Sequence, residues 1–127
     1  MKHPVIYRYD PVLYPVKLWV VATSDLTIIK ENFNHFPSGK SYKTKGADGL
    51  DAFVDTVTSA ETREIGILVV FKPSRTYKAE LMAHEATHVS DRLWRQIGER
   101  IPGSEANAYF VGWVVDCIEK ALKNKSK

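Results

Sequence analysis

A single cysteine, Cys117, among 127 residues excludes an internal disulfide and any chemistry that needs a pair of thiols. Cysteine this scarce fits a reducing compartment, so a cytoplasmic location is expected. Cys117 falls among apolar helix positions and reads as core packing rather than as a nucleophile or ligand. No apolar run approaches the ~20 residues that span a bilayer, and a membrane partner is not expected. The opening residues are polar and proline-bearing, unlike a secretory leader. Repeats and low-complexity stretches are missing too, so one domain is expected over 1–127, with an extended arm at 1–15 and a flexible basic tail at 123–127. The charge excess is small, at +3. Its lysines gather at Lys40, Lys43 and Lys45 and again at Lys120, Lys123, Lys125 and Lys127. No aromatic platform or groove-reading helix accompanies them, which favours solvated loop and terminus over a nucleic-acid surface.

One local absence is more informative. Between Tyr77 and Ile97 there is neither proline nor glycine, while Met82, Ala86, Val89, Leu93 and Ile97 recur at helical spacing. The spacing predicts a helix from Tyr77 to Gly98, with Thr76 as N-cap, Gly98 as stop and Pro102-Gly103 beyond. At mid-length it carries His84-Glu85-Ala86-Thr87-His88. At about 100° per residue the two histidines lie ~40° apart, on the edge opposite the apolar stripe. One metal ion can therefore touch both imidazoles, and Glu85 can reach a water on that metal without being a ligand.

The rest of the chain reads as an α+β domain. Residues 1–15 hold three prolines and three tyrosines and are expected to run extended without regular structure. Val16–Val21 reads as a buried strand, and Ser24-Asp25 as the cap of a helix through Leu26, Ile29 and Phe33 that ends before Pro37. His35 is then a surface residue at a frayed end, and 37–51 a glycine- and lysine-rich loop. Ala52–Thr58, with Phe53 and Val57 on one face and Val54 on the other, and Ile65–Phe71 read as an antiparallel hairpin turned at Ala60–Glu64. A last helix is expected from Glu105 to about Leu122. Its apolar stripe is Phe110, Val114, Ile118 and Ala121, with Val111 and Cys117 alongside, and Glu105, Tyr109, Gly112 and Asp116 lie on the opposite side.

A catalytic zinc site takes three protein ligands and leaves one position for water. The candidates beyond His84 and His88 are Glu105, Asp91, Asp116, His35 and His3. A helical hairpin would return the first turn of the last helix toward His88, which favours Glu105; the other reading is an ordinary first-turn acid complementing the helix dipole. Asp91 suits a partner orienting an imidazole, or a solvated charge.

His84-Glu85-Ala86-Thr87-His88 followed by Ser104-Glu105-Ala106-Asn107-Ala108-Tyr109-Phe110 resembles the small gluzincin-type zinc metallopeptidases. Within these, it is similar to the ImmA/IrrE-type proteins of bacteria and mobile elements, phages included. The motif match covers about 84–110; over 16–83 the likeness is one of element order. It implies a minimal zincin fold, a small antiparallel or mixed sheet packed on the H-E-x-x-H helix and a ligand-bearing helix after it. It also implies Zn2+ held by His84, His88 and Glu105, with Glu85 as general base for peptide-bond hydrolysis. Tyr109 stands where many of these proteins carry an aspartate. It is a candidate hydrogen-bond donor to the oxyanion, with packing against the metal helix as the other reading.

The expected partner is thus a protein or peptide substrate, aligned by edge pairing on a hairpin strand such as Ile65–Phe71. The alternative class is a regulatory or phage-associated zinc module without proteolysis. The tyrosine-rich stretch Val5–Tyr14 adds a further expectation, an arm laid across the cleft like a substrate, against the plainer one of an arm packed elsewhere.

Overall fold

The structure, a computed structural model, describes residues 4–11, 14–42, 51–100 and 102–124. Its eight elements are β1 (Tyr7–Tyr9), β2 (Lys17–Ala22), α1 (Thr27–Asn32), β3 (Phe33–His35), β4 (Ala52–Ser59), β5 (Ile65–Phe71), α2 (Ala79–Gln96) and α3 (Ser104–Asn124). The five strands form one mixed sheet in the order β1-β2-β5-β4-β3. Only β2 and β5 pair in parallel.

The two parallel strands are near-continuous hydrophobic runs, KLWVVA and IGILVVF, because both of their faces are covered. Leu18, Val20, Ile67, Val69 and Phe71 meet α2 and α3 on one side. Trp19, Val21, Leu68 and Val70 meet Ile29 of α1, Phe33 and Tyr42 on the other. β4 alternates as its sequence suggests, sending Val54 to the first layer and Phe53 and Val57 to the second. The fold is α+β, and no helix among the described residues is long and apolar enough to cross a membrane.

The helices form an antiparallel pair. The side chain of Asn107, early in α3, meets Ser90 and Trp94 of α2, while Ala121 and Leu122 line a hollow together with Met82. Gly98, at φ 80°, takes the left-handed conformation that ends α2 at little cost to glycine.

Several expectations are corrected. The N-terminal arm is not wholly irregular: Tyr7–Tyr9 adds an antiparallel strand to β2. The first helix is shorter than expected, since Phe33 already belongs to β3 and is buried there. Asp25 still helps to start it, its carboxylate accepting the Thr27 N–H at 3.0 Å. His35 is not at a frayed end but in β3, stacked on the Tyr42 ring at 4.6 Å. Thr76 does not cap α2; its N-cap is Lys78, with no side-chain hydrogen bond. Ile97 leaves the apolar stripe at 37% exposure, because the helix has ended before it. α3 runs to Asn124, past the expected start of the tail. His3, Lys43, Lys45, Lys125 and Lys127 lie outside the described residues, as does most of the 37–51 loop.

β5 admits no bulk at Gly66. A Cβ there would sit 2.3 Å from Trp19 Cζ3 and 2.7 Å from the Lys17 carbonyl oxygen. Gly66→Ala must therefore displace an indole locked in the second layer or part the parallel strands. The expected loss is about 1–3 kcal/mol, the usual range for an overpacked core, measured by urea unfolding. Equal midpoints for variant and parent would show that Trp19 yields freely.

Candidate metal centre

α2 is divided by what packs around it. Met82, Ala86, Val89 and Leu93 press on the sheet. Ser90 and Trp94 turn to α3, where a compact polar cluster closes: Ser90 Oγ donates to Asn107 Oδ1 at 2.6 Å, and Trp94 Nε1 donates to the same oxygen at 2.8 Å and to Ser90 Oγ at 2.9 Å. On the other flank Arg92 reaches β4, with Nη1 at 3.4 Å from both Asp55 Oδ1 and Thr56 Oγ1. Tyr42 Oη donates to the second Asp55 oxygen at 3.1 Å, and burial together with that carboxylate pushes its phenol pKa well up.

His84 and His88 occupy the remaining, outward edge. Their Nε2 atoms are 3.2 Å apart, with the rings edge to face at 80°. Glu85 is turned inward and only 5% exposed, with one oxygen 3.9 Å from His84 Nε2. Burial raises its carboxyl pKa, and the two histidines oppose that shift. His84, by contrast, has a side chain 66% exposed. His84 and Glu85 open onto a cavity of about 720 Å³ whose walls include Asp51 and Ala52 at the start of β4, Tyr77 and Leu81. A buried carboxylate thus stands beside an accessible pair of ring nitrogens.

The pair suits a tetrahedral metal. With Zn–N bonds of ~2.05 Å, a 3.2 Å separation subtends about 100° at a shared ion. A third donor is not assembled among the described residues. Among the described residues, no group of three or more His, Cys, Asp and Glu side chains could hold a metal.

Glu105 is exposed on the first turn of α3. Asn107, two residues on, faces α2, so Glu105 lies ~200° round the helix, on its outer side. Tyr109 shares that side at 76% exposure, which disposes of packing against α2 as its role. Asp91 is exposed, and Asp116 is paired with Lys120 at 2.9 Å. His35 sits in β3.

Two expectations about the cleft change. β5 cannot align a peptide, because β2 and β4 occupy both its edges. The N-terminal arm does not cross the His pair: β1 lies at the far edge of the sheet from β4, and Tyr14 packs edge-on against Trp94 and Phe110. Arg92 and Asn107 were missed as site-building residues. Arg92 could have been noticed as the cation one turn beyond His88; nothing in the sequence marks the hydrogen bonds of Asn107. Comparison with models of protein families, with curated proteins and with solved structures finds no match.

The two anchors of α2 differ in strength. Asn107→Ala leaves the buried Ser90 hydroxyl without its acceptor and the Trp94 N–H with Ser90 Oγ alone, at an expected cost of about 1–3 kcal/mol. Arg92→Ala breaks only a long, part-exposed pair and is expected to cost under about 1 kcal/mol. Urea unfolding of the two variants side by side checks the order; the reverse order would make the β4 contact the principal tether.

Proposed function

We propose that this protein is a zinc-dependent metallopeptidase. The supporting observation is the pair of Nε2 atoms 3.2 Å apart on an accessible helix edge, beside a carboxylate buried at the wall of a cavity. His84 and His88 would hold the ion, and bound zinc would supply Lewis acidity toward a carbonyl and lower the pKa of a coordinated water.

Glu85 is the proposed general base. Its carboxylate lies inside the wall, one oxygen 3.9 Å from His84 Nε2, within reach of a water on a shared ion. Proton delivery to the leaving amine falls to the same carboxyl group. Glu105 remains the proposed third donor on the strength of the motif resemblance to zincins. That role requires the first turn of α3 to bring its outer side round to the pair. Tyr109, on the same side, would come with it as the proposed oxyanion donor.

A protein or peptide is the proposed substrate. β3 pairs only with Val57–Ser59, so among the described strands nothing is paired with the outer edge of Ala52–Thr56. That edge begins at the cavity holding His84 and Glu85 and offers backbone groups to an extended chain. The incomplete donor set gives a second reading its footing: a zinc-binding module that does not cleave.

Zinc competition with a chromophoric chelator tests metal binding apart from activity. About one ion per chain is expected, with affinity down at least ~100-fold in His84→Ala and His88→Ala, the scale set by losing a direct imidazole ligand. Glu105→Gln is expected to weaken zinc as well; unchanged affinity would remove Glu105 from the set. For catalysis, a mixed peptide library is digested by parent and Glu85→Gln, and a rate loss of about 100- to 10,000-fold is expected. Undiminished cleavage by Glu85→Gln would end the peptidase reading, and zinc binding without cleavage by the parent would select the second one.

A further inference from the structure

A hollow larger than the one beside the histidines lies elsewhere on the described structure. β2 and β5 run parallel and end level, with Ala22 opposite Phe71. Beyond that line the chain departs to opposite faces of the sheet. Residues 23–26 lead from β2 to α1, whose Ile29 packs with Trp19, Val21, Leu68 and Val70. Residues 72–78 lead from β5 to α2 on the other face. Adjacent parallel strands whose connections part in this way leave a crevice at their carboxyl ends, where ligands of open α/β sheets bind. Here the crevice is a cavity of about 1310 Å³ between segments 23–25 and 73–77. The segment 73–77 divides it from the cavity at His84 and Glu85, so the two are separate places on the molecule.

Its chemistry is lopsided. Met82, Ala121 and Leu122 lie nearly buried beneath it, and half-exposed Val5 with part-buried Ala22 and Tyr77 supplies an apolar floor. The polar groups of the rim are mostly engaged with one another. Thr23 Oγ1 accepts the Asp25 N–H at 2.9 Å, Asp25 Oδ1 accepts the Thr27 N–H at 3.0 Å, and Glu119 pairs with Lys123 at 3.7 Å. Arg75 is the exception: it is exposed on the rim, and among the described residues no carboxylate pairs with it. A guanidinium left over beside an apolar floor matches a ligand with an aliphatic body and one carboxylate, which the arginine fork can grip with two hydrogen bonds.

We propose that the crevice at the carboxyl ends of β2 and β5 is a binding site for an amphipathic aliphatic carboxylate. The chain lies along Val5, Ala22 and Tyr77, above Met82, and the carboxylate sits on Arg75. This site is independent of the metal centre and of whether the protein is a peptidase.

Sodium decanoate below its aggregation concentration is the probe, titrated into the full chain with the Met82 methyl group followed by NMR. One-to-one saturable shifts are expected at Met82, with the His84 and His88 ring signals unmoved. Arg75→Gln, an exposed substitution that spares the core, is expected to weaken decanoate about tenfold, as loss of a charge-assisted hydrogen bond does. Decan-1-ol should bind parent and variant alike. No saturable shift at Met82, or equal decanoate affinity in Arg75→Gln, overturns the proposal. A Met82 signal that moves with protein concentration alone would give the crevice to a second copy of the chain, and overturn it too.

Discussion

The seating of α2 on the sheet governs everything of functional interest. Met82, Ala86, Val89 and Leu93 are buried against β2 and β5, and that contact fixes the rotation of the helix about its axis. Once the rotation is fixed, each other side chain has its surroundings assigned. Ser90 and Trp94 meet α3, Arg92 meets β4, and His84 and His88 face out. Glu85 falls at the boundary and is buried, though it is charged in ordinary solution. Burying a carboxylate is costly, and here it comes with a raised proton affinity next to two ring nitrogens.

Elements whose faces are set by their own periodicity could be read from the sequence. α2, α3, β4 and β5 lie where hydrophobic spacing puts them, as do the inward and outward sides of each. The outward edge holding His84 and His88 was equally legible, since a helix four residues apart leaves little choice. What escaped was decided by partners distant in sequence. Tyr7–Tyr9 looks irregular alone and becomes a strand because β2 has an edge to offer. Phe33 has helical spacing with Ile29, yet pairing with Ser59 draws it into β3. Ile65–Phe71 reads as a hairpin strand with one free edge until β2 takes that edge in parallel.

The same distinction runs through the candidate site. Residues on one helix keep their relation whatever the tertiary structure, so the pair and its neighbouring carboxylate stand together as expected. Glu105 belongs to the next helix, and its position depends on how α3 rolls against α2. That roll is set by Asn107, whose oxygen accepts from both Ser90 and Trp94. A spacing rule carries no information about such a bond. Loose amphipathicity fits several rolls, and one part-buried amide that accepts from two buried donors selects among them.

The parallel pairing of β2 with β5 has a kinetic consequence. Lys17 is the partner of Gly66, so the central seam of the sheet joins distant parts of the chain, whereas β4 and β5 are joined by a short turn. Local contacts form before distant ones because closing a long loop costs entropy in advance of any return. The hairpin is therefore the pairing whose closure costs least, and the contact of Trp19 over Gly66 carries the larger loop cost. The histidine-bearing helix rests on both β2 and β5, so a complete seat for α2 requires that long closure.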